Sequence, residues 1–488
     1  MTATPTTTEP NALKYQPPNQ YTFDMAKTAH SIINIPILEG PIGQSLPFLF
    51  LIDGELSLLT LAWTRCILLE TEPSPSRLSK AVSAIGRFYD FYTLEKASTP
   101  VSEGQLTMLL RQFHEARRFG LPSLGWESVR KETAMADVRA ISEFSDWCAD
   151  NFGHVAANPV ETSLITNLSL KDQMTAKFRS AARSKWNMLH HLYGSTAEGQ
   201  GIVSQREFVP QAKKFKPTYT PEHFPPNKIW EAIGSCPSLR DKLFLILLFF
   251  GGLRISEPLH LFVTDVSVGA DGVAIVVLGH PKDGQYKWVD RSGKNRRGNR
   301  QEFLKERYGI GPRNYLAENH PMHAGWKGMT ADNGSKAESQ VHWLRPDAGR
   351  LFAKLHSKYM KTERAHIPDN HPYYFANFQP GEFFGGPLKL SNASKSFYRA
   401  AKRAGLRTSN PGVNPHGARH FFGFYCASIL QLSLERTNKI MHHASLQSTE
   451  IYYHLSMESV RKALKEAHEK QSAAEQEFMA PPVKLNDI

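Results

Sequence analysis

The stretch "MHHASLQSTEIYYHLS", residues 441 to 456, sets Tyr452 and Tyr453 side by side shortly after a histidine pair, His442 and His443. A tyrosine hydroxyl has a pKa of about 10, so it attacks at neutral pH only with help from a base or a cationic field. In one unbroken helix the spacing from His443 to Tyr452 is about 900°, which puts them on opposite faces. They converge only if the chain turns between them. Ser448 as a cap, with Glu450 in the first turn of a new helix, would supply that turn. Adjacent helix positions differ by about 100°, so only one of the two tyrosines points into a given site.

Three further stretches carry chemistry-bearing residues. "GGLRISE" holds Arg254 with Glu257 three positions on, on one helix face. Alone, this reads as a structural ion pair. Lys282 sits in a Pro-Lys-Asp-Gly turn, and alone it reads as a solvated turn lysine. In "NPHGARHFF", Asn414 can cap a helix and Pro415 fits its first turn. His416 and Arg419 then face the same way. The spacing of His416 to His420 also suits a metal, but no Glu follows His416 in the H-E-x-x-H manner and no cysteine is close, so zinc is not the favoured reading.

Together these residue types suit a phosphodiester. Its transition state spreads negative charge over the non-bridging oxygens, and Arg254 and Arg419 offer planar, forked donors for it. His416 is the candidate base for a tyrosine nucleophile, and Lys282 a candidate acid for the leaving sugar oxygen. His443 can hydrogen-bond the phosphate, and Glu257 holds the site together. This fixed positive charge makes a metal unnecessary. There is no P-loop sequence, so no nucleotide hydrolysis is implied and no cofactor is expected.

The elements that must position these residues follow from periodicity. "SRLSKAVSAIGRFYDFYTLE", "MADVRAISEFSDWCADNF" and "AKFRSAARSKWNMLHHLY" repeat apolar residues at helical steps and predict a helical N-terminal domain over 46–208. The Thr-, Pro- and Asn-rich residues 1–45 are expected to be disordered or extended. Residues 209–226 are rich in Lys and Pro and read as a linker, with Lys213, Lys214 and Lys216 placed to touch phosphates. A second domain spans 227–470. In it an apolar helix ends at the Gly251–Gly252 pair, a new helix begins near Arg254, and the strands either side of Lys282 are expected to form a hairpin. Residues 291–370 show little periodicity and contain the basic cluster "RSGKNRRGNR", with Arg296 and Arg297 as candidate DNA contacts. Helical pattern resumes at "SNASKSFYRAAKRAGL", and residues 471–488 read as a flexible tail.

In this order, the four stretches resemble the tyrosine recombinase (phage integrase) family. The resemblance spans residues 220 to 465 and is sharpest at "GLRISE", "HGARH" and "HHASLQSTEIYYH". It assigns Arg254, His416, Arg419, His443 and Tyr452 to the catalytic set, with Tyr452 as nucleophile and Tyr453 as a packing residue. Three departures stand out. His442 replaces the family's usual glycine, and Pro258 follows Glu257 where leucine is common. "GHPKDGQYK" replaces the G-K-G-x-K run, leaving Lys282 or Lys287 as the lysine; Lys282 is favoured because it lies at the turn. The family implies a mainly α fold with a small antiparallel β-sheet (α+β), a helical core-binding domain and a catalytic domain. It also implies a covalent 3′-phosphotyrosine intermediate, double-stranded DNA as partner, four protomers on two DNA sites, accessory proteins and a mobile-element role. The amphipathic segment "MESVRKALKEAHEKQSAAEQEF" is expected to dock on a neighbouring protomer.

Bulk properties fit. The chain has 488 residues, 41% hydrophobic and 21% charged, with a net charge of +12. That length exceeds one ordinary core, and that charge suits a polyanion. Cys66, Cys148, Cys236 and Cys426 are scattered with no CxxC and read as reduced thiols of a cytoplasmic protein that joins the bacterial nucleoid when bound to DNA. No apolar run reaches membrane-spanning length, and no secretory signal opens the sequence. Two rival readings remain at this level. One is a strand-relaxing enzyme of the type IB topoisomerase kind, for which one protomer suffices. The other is a DNA-binding protein of the same fold without activity, against which the full Arg, Lys, His, Arg, His, Tyr set argues.

Overall fold

A computed structural model describes residues 28–37, 42–71, 73–95, 103–164, 202–209 and 221–453. Lys213, Lys214, Lys216, the 176–193 helix, the C-terminal amphipathic segment and the tail all lie outside these residues. The chain divides into two compact units. The first takes residues up to 33, 47–71 and 79–211; the second takes 34–46, 72–78 and those from 212 onward.

The first unit is helical, as its periodicity predicts. Strands β1 (Ser31–Pro36) and β2 (Ser45–Phe50) precede helices α1 (Leu58–Thr71), α2 (Pro75–Asp90), α3 (Glu103–Phe119) and α4 (Lys131–Phe152). One core joins Ala84, Phe91, Leu110, Phe113, Val138 and Ile141. Asp137, buried on α4, is held by Arg87 at 3.0 Å and Arg117 at 2.9 Å, so a charge on the helix face is neutralised within the core. The unit also holds an antiparallel ribbon, β3 (Val160–Leu164) with β4 (Ile202–Arg206), which helical periodicity did not show.

The second unit is built around a single buried helix. α5 (Ile229–Gly234) leads to α6 (Leu239–Phe250), whose residues from Leu243 to Phe250 are all buried. A helix apolar on every side must be surrounded, and α6 packs against α5, α7 (Pro346–Lys361), α8 (Leu390–Arg403) and α9 (Pro415–Phe424). Its N-terminus is closed by the Ser238 hydroxyl and by the Glu363 carboxylate, which accepts from Leu239 N at 2.7 Å and Arg240 N at 3.1 Å.

The strands depart from the expected hairpin. β6 (Ala274–Gly279) pairs with β5 (Val266–Val268) on one side and with β9 (Glu338–Gln340) on the other, all antiparallel. β7 (Gln285–Val289) pairs instead with β8 (Asn295–Asn299), inside the basic cluster. The turn around Lys282 therefore passes from one sheet to another. The cause is side-chain alternation: Tyr286 and Trp288 turn one face of β7 onto a small aromatic core with Phe262, Phe303 and Tyr373. β7 lies against this core and pairs with β8, while the two edges of β6 are taken by β5 and β9. The mainly α fold with small antiparallel sheets is as expected. Among the described residues, no helix is long and apolar enough to cross a membrane.

Candidate active site

The site forms where α6 ends and α9 begins. Gly252 lies in the left-handed region at φ 66°, where a Cβ would press on the Phe422 ring. Only glycine makes this reversal without strain. After it, Arg254 donates from its backbone N to Glu257 Oε2 at 2.7 Å and from Nη1 to Oε1 at 2.6 Å. The pair sits in a tight turn leading to a 3₁₀ segment, Glu257–His260, rather than on the α-helix face expected from spacing.

α9 starts as its sequence predicts. Asn414 Oδ1 accepts from Gly417 N at 2.8 Å, with Pro415 next to the cap. Arg419 on this helix is 1% exposed. It donates from Nη1 to Gly252 O at 2.6 Å and from Nη2 to Met441 O at 2.5 Å, and its Nη1 lies 3.7 Å from Glu257 Oε2. Arg419 thus ties together the end of α6 and the end of α10 (Leu434–Ile440). Burial lowers its pKa to about 10, with Glu257 opposing. Two guanidinium groups share one buried carboxylate, so the cluster carries an excess positive charge.

Past α10 the chain reverses at His442, whose φ of 53° is the left-handed conformation that favours glycine. This is the position at which the resemblance read from the sequence leads one to expect glycine. Beyond it, a hydrogen-bond chain holds the His443 ring in place. Asn438 Nδ2 donates to Thr449 Oγ1 at 3.0 Å, and that hydroxyl lies 2.8 Å from His443 Nδ1. Burial, then the charges of Arg419 and Arg254, lower its pKa to about 3. The helical turn after it is Gln447–Glu450, preceded by Leu446, so Ser448 lies inside the turn and does not cap it.

Tyr452 follows. Its ring rests on Gly423 of α9, where any Cβ would come within 2.6 Å of it. Its hydroxyl meets His420 Nδ1 at 3.0 Å. Burial raises the phenol to about 12, while Arg419 and Arg254 pull it down. Tyr453 is elsewhere: its hydroxyl lies on Thr437 Oγ1 at 2.5 Å and on the carbonyls of Leu432 at 2.7 Å and Ser433 at 3.0 Å.

The histidine on the phenol oxygen is thus His420, where the sequence pointed to His416. His416 stands beside it, ring centroids 4.3 Å apart. Burial, then Arg419, Lys327 and Arg254, lower the His416 pKa. Lys327 was not among the sequence candidates. It lies in the 280–337 excursion between β6 and β9, three residues before Thr330, whose hydroxyl donates to His443 O at 3.0 Å. Lys282 instead has its ammonium over the Tyr315 ring, 5.8 Å from the centroid. Lys287 is exposed on β7, opposite Arg297 of β8. Arg296 faces the other side of that ribbon, with Nε 3.9 Å from Glu306 Oε2. Among the described residues no His, Cys, Asp and Glu gather as a metal-binding group.

No family model and no curated protein matches the sequence. Solved structures do. A Tn1549 transposon integrase in complex with circular intermediate DNA matches over 84% of this chain and 99% of its own, at 13% identity and TM-score 0.42. XerA recombinase matches over 84% and 96%, at 13% identity and TM-score 0.30. A lambda integrase dimer bound to a COC′ core site matches over 80% and 93%, at 12% identity and TM-score 0.36.

Proposed function

We propose that this chain is a site-specific DNA recombinase that cuts and rejoins duplex DNA through a covalent link between Tyr452 and a 3′-phosphate. The observation that carries this reading is the meeting of the Tyr452 hydroxyl, a low-pKa histidine and two arginines balanced by one carboxylate. A phenol, a proton acceptor and fixed positive charge are the parts needed to open a phosphodiester without a metal. Arg254 and Arg419 stabilise the charge that grows on the non-bridging oxygens. His443 is the hydrogen-bonding histidine for the same phosphate. The bond energy is kept in the tyrosyl ester, so the free 5′-hydroxyl can reverse the step without ATP.

DNA is held largely through its phosphates. Lys287 and Arg297 are directly opposite each other across the β7–β8 ribbon. Like charges so placed repel in the free protein and suit an anionic backbone lying across them. Four protomers on two sites, and the excision or integration of a mobile element, complete the reading.

The experiment is covalent capture on a nicked duplex that traps the cleaved strand. Wild type and Tyr453→Phe are expected to give a protein–DNA adduct on a denaturing gel, and Tyr452→Phe none. An adduct that persists in Tyr452→Phe contradicts the assignment.

A further inference from the structure

We propose that His420, rather than His416, takes the proton of the Tyr452 hydroxyl as that oxygen attacks phosphorus. The assignment rests on the recombinase reading and names the base within it. Three observations carry it. The phenol oxygen and His420 Nδ1 are 3.0 Å apart, within the reach a general base needs. The Tyr452 ring is seated on Gly423, one helical turn beyond His420 on α9, so both partners are fixed to the same helix face. His416 meets His420 ring to ring at 4.3 Å and thereby occupies the position next to the base.

The surroundings keep His420 neutral and able to accept. The groups facing it are His416 and Arg419 from its own helix, His223 from the segment ahead of α5, and Tyr452. Burial first, then His416, Arg419 and His223, lower its pKa to about 4. A neutral imidazole accepting at Nδ1 carries its proton on Nε2. In the free protein the weak base and the raised phenol hold the proton on oxygen, so the nucleophile rests unreactive. A phosphodiester entering beside Arg254 and Arg419 brings negative charge, which favours the imidazolium. The O–H bond of Tyr452 then breaks toward Nδ1, the oxygen–phosphorus bond forms, and the bond from phosphorus to the 5′-oxygen breaks, that oxygen taking its proton from a separate acid. On rejoining, the Nδ1 proton returns to the departing phenolate.

The test uses the full chain and a pool of nicked duplexes with randomised core sequence, with single-turnover adduct formation as readout. His420→Gln keeps a hydrogen-bond acceptor but cannot hold a proton, and it is expected to slow adduct formation by about 10²-fold or more. His420→Ala is expected to be slowed as much and to recover in part with added imidazole, with a pH profile set by the added base. Thermal melting of both variants reports whether they fold. Undiminished rates in His420→Gln overturn the assignment, as does a folded His420→Ala that imidazole fails to restore; in both cases the wild-type adduct leaves the recombinase reading standing. A wild type that forms no adduct with any member of the pool removes that reading and the base together.

Discussion

Tyr452 and Tyr453 are neighbours in sequence whose hydroxyls end in separate environments: the first on His420 Nδ1, the second among Thr437 and the carbonyls of Leu432 and Ser433. The second set is a structural anchor for the segment after α10. Tyr453→Phe leaves those groups one donor short and is expected to cost about 1 kcal/mol in urea unfolding. Its adduct yield should match wild type. Equal stability in the presence of normal activity would mean that the anchor carries nothing.

Glu257 is the single buried carboxylate between Arg254 and Arg419, and it is 2% exposed. Removing one partner of a buried ionic cluster leaves uncompensated charge, so Glu257→Ala is expected to destabilise the fold by about 3–5 kcal/mol. Glu257→Gln retains hydrogen-bonding atoms and should lose less. Chemical denaturation orders the three proteins; a Glu257→Ala variant as stable as wild type would contradict the arrangement.

The acid for the leaving oxygen separates two lysines. Lys282 stands over Tyr315, whereas the charge of Lys327 acts on His416. We expect Lys327→Ala to slow cleavage of ordinary DNA by about 10²-fold or more. DNA with sulfur at the bridging 5′ position needs no acid, since a thiolate leaves unprotonated, and should restore the rate. If Lys282→Ala shows that loss and recovery instead, the turn lysine is the acid.

Low pH should unfold the second unit early. Burial holds His443 at about 3 and His442 at about 4, below the ordinary histidine value of about 6.5. The fold favours the neutral form, so the unfolded chain binds more protons between those values. Stability is therefore complete above about pH 6.5 and falls as pH drops toward 4, each histidine contributing about 1.4 kcal/mol per pH unit. Urea titrations from pH 7 to pH 4.5 measure the slope, and His443→Asn should flatten it. A slope unchanged in that variant would mean that His443 is not held neutral by the fold.

Much of this was legible where structure is local. Asn414 and Pro415 announce the start of α9, the apolar run from Leu243 marks the central helix, and the 441–456 stretch implies that only one of Tyr452 and Tyr453 faces a given site. What could not be read depends on partners far along the chain. β6 finds β9 across the whole 280–337 excursion, so the local turn at Lys282 gave the wrong partner. His420 lies 32 residues from Tyr452, and nothing in its local sequence ties it to that tyrosine. Thr449 and Lys327 are ordinary residue types in their local sequence and acquire meaning only from what they touch. The glycine at position 423 was the one available signal for His420, since it clears the helix face on which the tyrosine ring rests.

The central claim is that one particular phenol oxygen becomes bonded to DNA. The most direct measurement is to trap the adduct on the nicked duplex, trim it with nuclease and protease, and locate the nucleotide-bearing residue by tandem mass spectrometry. A phosphonucleotide is expected on Tyr452. Its presence on Tyr453, or on any other residue, would contradict it.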